Sequence, residues 1–156
     1  MNTDTVDSAA YAGTVVGESV ATPANTLATV ERDVYRDHRL LAEGGMGRVS
    51  VARDRRLGRR VAIKELRVDS PAARARFERE AMLTARLEHP GIVGVHEAGR
   101  WPSGEPFFAM RVVAGRSFDQ VLAGLRDPAS RIARVPAVLA VADAMAYAHG
   151  QNVIHR

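Results

Sequence analysis

The sequence contains no cysteine, which excludes disulfides and thiolate metal sites. It has no run near the ~18 uncharged apolar residues that a spanning helix needs, so no membrane segment is expected. The N-terminus carries Asp4 and Asp7 and lacks a basic stretch followed by an apolar one, so it does not read as a secretion signal. The expected compartment is the cytoplasm. Aromatic residues are scarce, at 5%, against a hydrophobic content of 46%. A core at this length is therefore built mostly of Ala, Val and Leu. The sharpest shortage is lysine: of 22 Lys+Arg residues, Lys64 alone is lysine. Generic positive charge is supplied by arginine throughout. Lysine differs in being a compact, rotatable point charge instead of a planar fork.

The formal charge of +4 raises the question of nucleic acid. The arginines are scattered, however, and interleaved with acids. The densest group, Arg53-Asp54-Arg55-Arg56-Leu57-Gly58-Arg59-Arg60, reads as a turn between strands. No nucleic-acid partner is expected.

Two stretches organise the chain: Leu41-Ala42-Glu43-Gly44-Gly45-Met46-Gly47-Arg48-Val49, and Val61-Ala62-Ile63-Lys64. Glycines let a backbone turn approach a polyanion closely, because they have no Cβ and take positive φ at little cost. The same run also suits a plain hairpin turn. Lys64 ends an apolar, β-branched run and reads as a strand residue aimed into a cleft. Tyr35 to Ala42, Val49 to Arg53 and Arg60 to Leu66 are expected as an antiparallel meander. Residues 1–33 hold no period and read as a flexible leader.

A helix follows, with Asp69 or Ser70 as cap and Pro71 in its first turn. Phe77, Ala81, Thr84 and Leu87 share one face, and Glu80 lies on that stripe. A carboxylate there needs a cation. Arg76, four residues earlier, could supply it along the helix; Lys64 could supply it across a cleft. His89-Pro90-Gly91 stops the helix. Ile92 to His96 and Pro106 to Val113 are expected strands, joined by a turn at Trp101-Pro102-Ser103-Gly104. Ser117 with Gln120 predicts a capping box on a short helix. A long apolar helix runs from Pro136 to about His149, and residues 152–156 begin another strand.

In this order the motifs resemble the protein kinase superfamily, and within it the bacterial eukaryotic-like serine/threonine kinases. The glycine-rich loop is Ala42 to Val49, with Ala42 where the family has its first glycine. Val61-Ala62-Ile63-Lys64 matches in full, Glu80 stands where the ion-pair glutamate belongs, and Val153-Ile154-His155-Arg156 resembles the approach to the catalytic loop. The resemblance implies an α+β fold: a five-stranded antiparallel sheet with one long helix over 34–113, hinge at its end, then the first helices of an incomplete second lobe over 114–156. It implies ATP as ligand. Leu41, Val49 and Ala62 would sandwich adenine, with Met110 at the back and the backbone of Arg111 and Val113 reading its edge. Ala42, Glu43, Gly44, Gly45, Met46 and Gly47 would cover the phosphates. Lys64, held by Glu80, would bind the α- and β-phosphates.

The family's His-Arg-Asp motif is interrupted after Arg156. The resemblance therefore places the catalytic aspartate, the Mg²⁺ ligands and most of the second lobe outside these residues, so no metal ligand is assigned here. The expected function is the ATP-binding part of a protein serine/threonine kinase, which uses Mg²⁺ and a protein substrate when complete. The 156 residues alone are expected to be inactive. The alternative is a non-catalytic nucleotide- or kinase-binding module.

Overall fold

A computed structural model describes residues 14–16, 27–44, 47–67 and 70–155. Five strands form one antiparallel sheet: β2 (Tyr35–Glu43), β3 (Gly47–Asp54), β4 (Arg59–Leu66), β5 (Val95–Arg100) and β6 (Pro106–Met110), in the spatial order β2-β3-β4-β6-β5. The meander expected from the hairpin turns is β2-β3-β4. Helix α1 (Pro71–Thr84) crosses between β4 and β5. Its N-cap is Ser70, whose hydroxyl accepts from the Ala73 amide at 3.2 Å, with Pro71 behind it. The other candidate cap, Asp69, lies outside the described residues.

Strand period two divides β4 between two cores. Val61 and Ile63 pack on one face with Tyr35, Ala52, Trp101, Phe107 and Ala109. Ala62 faces the other way and packs with Val49, Phe108, Met110 and the α1 residues Phe77 and Ala81. Lys64 shares that second face and Glu65 the first. Phe77 and Phe108 pack with tilted rings, 5.1 Å between centroids, which fixes α1 on the sheet.

The first face differs from expectation in what covers it. Residues 28–34 lie within or beside the stretch expected to be a flexible leader. Yet the Val30 amide donates to the Arg100 carbonyl at 2.8 Å, and Val30 and Val34 pack against the first core. An open sheet face of Val, Ile, Trp and Phe has to be buried, and the apolar residues of this segment bury it. Further upstream, β1 (Thr14–Val16) pairs antiparallel with β7 (Val153–His155).

Strand β5 begins three residues later than expected, because its ladder with β6 starts at Val95 opposite Met110. Ile92 instead closes a turn on the His89 carbonyl and packs beside Leu87, Ala148 and Val153. The same ladder end stops β6 at Met110 rather than Val113. Beyond it come α2 (Phe118–Ala123), α3 (Pro128–Ile132) and α4 (Val135–Gly150). Ser117 is the N-cap of α2 but makes no side-chain cap bond, so the serine half of the expected capping box does not form. Helix α3 was not expected. Its signal was present, since Asp127 caps it by accepting from the Ser130 amide at 2.8 Å and Pro128 follows. Among the described residues no helix is long and apolar enough to cross a membrane.

The arginine-rich turn is closed on carboxylates. Arg56 donates to fully buried Asp54 and, at 2.7 Å, to Glu97, while Arg55 pairs with Asp33. Tyr35 also donates its hydroxyl to Glu97. Burial opposes the ionised forms of Asp54 and Glu65. For Asp54 the bonds from Arg56 outweigh it; for Glu65, Arg48, Trp101 and Arg32 do. Both carboxyls are held below their usual range. Arg56 lowers Glu97 likewise.

Lowered carboxyl values stabilise the fold above the unfolded value and cease to do so as pH falls through the folded one. The contribution of these carboxylates is therefore expected to be full above about pH 4.5 and to drop steadily below about pH 4. Thermal melts across that range check this; a melting temperature unchanged down to about pH 3 would contradict it.

Candidate nucleotide cleft

Lys64 reaches its position because β4 is the central ladder strand. It lies opposite Val49 on β3 and opposite Phe108 on β6. The residue is only 9% exposed. Its Nζ stands 5.5 Å from the Phe108 ring centroid and 6.0 Å from that of Phe77. An ammonium so enclosed needs an anion. Glu80 provides it, with Nζ to Oε1 at 2.7 Å. Of the two cations open to Glu80 from sequence, the structure thus selects Lys64; Arg76, on the same helix, is exposed. The pair links β4 to α1 across the second core, and a short charge-assisted bond holds both side chains in one geometry.

Beside this pair the apolar site residues converge. Leu41, Ala42, Val49, Ala62 and Met110 belong to one cluster, with Val112 at its margin. Ala62 and Met110 are directly opposite in the ladder. The wall is thus made by three strands, β2, β3 and β4, with β6 behind.

The edges of the cleft are main chain. The Arg111 amide donates to the Gly94 carbonyl at 3.0 Å. Val113 is exposed just beyond it. On the opposite rim the Gly44 amide donates to the Gly47 carbonyl at 2.9 Å, closing the hairpin. Gly47 runs so near β4 that a Cβ there would meet the Glu65 carbonyl oxygen at 2.5 Å, so only glycine fits. Glu43 points to Arg67, at 2.5 Å, and not to Lys64. Gly45 and Met46 lie outside the described residues.

Sequence reasoning missed one group next to the cleft. Glu65 is buried behind Lys64 and bonds Arg48, Arg32 and Trp101. The alternation of β4 called for an apolar residue there, and a charged residue in that register was the available signal.

The fold thus combines a five-stranded antiparallel sheet, a helix tied to it by an enclosed lysine–glutamate pair, and a glycine hairpin between its first two sheet strands. The protein kinase domain model matches residues 35–156, so the chain belongs to the protein kinase family. It is 41% identical over 125 residues to the serine/threonine-protein kinase PknJ of Mycobacterium tuberculosis, covering 78% of this chain and 21% of that protein. It is 39% identical over 129 residues to PknA of the same species, covering 78% of this chain and 30% of PknA. With pkn3 of Myxococcus xanthus the identity is 39% over 126 residues, covering 78% and 23%. The crystal structure of the Mycobacterium tuberculosis PknI kinase domain superposes with a TM-score of 0.62 at 30% identity, covering 88% of this chain and 54% of that one. The chain thus spans less than a third of the length of these curated relatives.

Proposed function

We propose that this chain carries the ATP-binding half of a protein serine/threonine kinase, which in its complete form transfers the ATP γ-phosphate to protein serine or threonine. The observation that carries this reading is the 2.7 Å Lys64–Glu80 pair, enclosed beside the cluster of Leu41, Val49, Ala62 and Met110. In this reading the cluster receives adenine. Because the Arg111 amide is already bonded to Gly94, the Arg111 carbonyl and the Val113 main chain would read the adenine edge. The hairpin from Ala42 to Gly47 would cover the phosphates, with Glu43 bracing its base through Arg67. Lys64 would neutralise the α- and β-phosphates while Glu80 fixes its direction.

Magnesium does not fit the residues present. Among the described residues no group of three His, Asp or Glu side chains converges on one point, and Glu80 is already engaged by Lys64. No step through the metal is derived for this chain. A protein substrate and a cytoplasmic place of action follow from the same family reading. Nucleic acid is not a partner in it; Arg55, Arg56 and Arg59 of the densest basic turn pair with carboxylates, which supports that reading.

The test is a pair of measurements on residues 1–156. Calorimetric titration is expected to give saturable ATP binding, and incubation with labelled ATP and a generic protein acceptor is expected to give no transfer. Absence of any ATP binding would overturn the reading. Transfer abolished by Lys64→Met would overturn the expected inactivity. A non-catalytic nucleotide-binding module remains the second reading. It would prevail if the protein extended through a complete catalytic segment still transferred nothing.

A further inference from the structure

We propose that Glu65 is a positioning residue of the nucleotide cleft, coupling the N-terminal segment, through Arg32, to the glycine hairpin, through Arg48. The proposal rests on reading the cleft as a nucleotide site.

Glu65 occupies a place where the sheet has apolar residues. Its neighbours on the same face of β4 are Val61 and Ile63, and its side chain is 7% exposed. A buried ion pair is weak evidence for stability, because desolvation offsets the attraction. What it does supply is a fixed geometry. The two carboxylate oxygens are divided between two parts of the chain. Oε2 accepts from Arg48 Nε at 2.7 Å. Oε1 accepts from an Arg32 guanidinium nitrogen at 3.1 Å and from Trp101 Nε1 at 2.8 Å.

Arg48 follows Gly47 directly and lies opposite Glu65 in the β3–β4 ladder. The backbone of the same glutamate is what Gly47 packs against. Glu65 therefore holds the base of the hairpin by side chain and by main chain. On its other side, Arg32 belongs to the 3₁₀ turn Arg32–Val34 and lies over the Trp101 ring, 4.7 Å from its centroid. Trp101 in turn stacks on Phe107 at 3.8 Å, deep in the first core. Lifting the N-terminal segment removes one of the two cations that hold the carboxylate. Glu65 and Arg48 then relax together, and the base of the hairpin, at Gly47 and Arg48, loses its fixed place against β4. Because the hairpin covers phosphates and not adenine, the loss falls on the phosphate part of the ligand.

The experiment uses the 156-residue chain, with ADP and adenosine as calorimetric probes. Arg32 is half-exposed, so Arg32→Ala keeps the fold where Glu65→Gln risks losing it. The expected result for Arg32→Ala is ADP affinity lowered about fivefold or more, the low end of coupling between linked sites, with adenosine affinity unchanged. In an Arg48→Ala background, Arg32→Ala is expected to add little, since both act through one carboxylate. Trp101 is the only tryptophan, so its emission reports on the junction and should change when ADP saturates the wild-type chain. Equal losses for ADP and adenosine, or fully additive effects of the two arginines, would show a merely structural role and overturn the proposal. So would unchanged ADP affinity in a folded Arg32→Ala. A wild-type chain that binds neither ligand overturns the nucleotide reading itself, which is a different failure.

Discussion

Lys64→Met, made in a form of the protein complete through its catalytic segment, is expected to lower phosphoryl transfer by about a hundredfold or more, the scale of losing one preorganised charge from a transition state. The methionine removes the counter-charge to the phosphates. It also leaves Glu80 unpaired in a site where Lys64 was its 2.7 Å partner and two phenylalanine rings are near. An uncompensated carboxylate beside bound phosphates adds repulsion to the lost attraction. Lys64→Arg is expected to fail as well. The guanidinium fork is wider than an ammonium and cannot stand in the same slot between Phe77, Phe108 and Glu80. Autophosphorylation with labelled ATP measures both. Activity near that of the unsubstituted protein in Lys64→Met would remove Lys64 from the catalytic machinery. Within residues 1–156 generic positive charge is arginine, so no second lysine there can substitute.

Hydrogen exchange on the 156-residue chain is expected to divide the molecule sharply. Amides of β4 and β6 should be the slowest. Both strands are paired on two sides, and Val61, Ile63, Phe107 and Ala109 are fully buried. Amides in the first half of α4 should exchange faster by orders of magnitude. Val138, Leu139 and Val141 are 51%, 63% and 63% exposed, and the helix buries only Ala144 and Ala148. Its anchors all lie towards the C-terminal end: Tyr147 accepts from the Glu88 amide at 3.0 Å, and Asp143 meets His89 at 3.2 Å. A helix of this length without tertiary burial is marginal in water. Local opening is therefore cheap at one end and close to global unfolding in the sheet. Strong, concentration-independent protection from Val138 onward in a monomer would contradict this and show that α4 has found a covering surface within the chain.

What could be read directly from the sequence was whatever depends on neighbours in the chain or on a fixed spacing. The glycine hairpin, the strand carrying Lys64, the capped start of α1 and the apolar α4 all follow from local rules, and each stands where expected to within a few residues. Glu80 was legible because helical spacing put a carboxylate on an apolar stripe, which demands a cation. Which cation was not legible. Arg76 and Lys64 were equally allowed until the sheet brought Lys64 across.

Tertiary structure alone decided the contacts between residues far apart in sequence. The bonds to Glu65 come from residues 33, 17 and 36 positions away, and no local pattern encodes them. The same holds for the segment at Val30 and Val34. Read alone it has too few apolar residues to order itself; placed against Trp101 and Phe107, it covers a face that water would otherwise reach. The ends of β5 and β6 were set in the same way, by where one ladder begins at Val95 and Met110 and not by the apolar residues around them. Local propensity acts residue by residue, whereas burial is a property of surfaces that exist only once the sheet has formed.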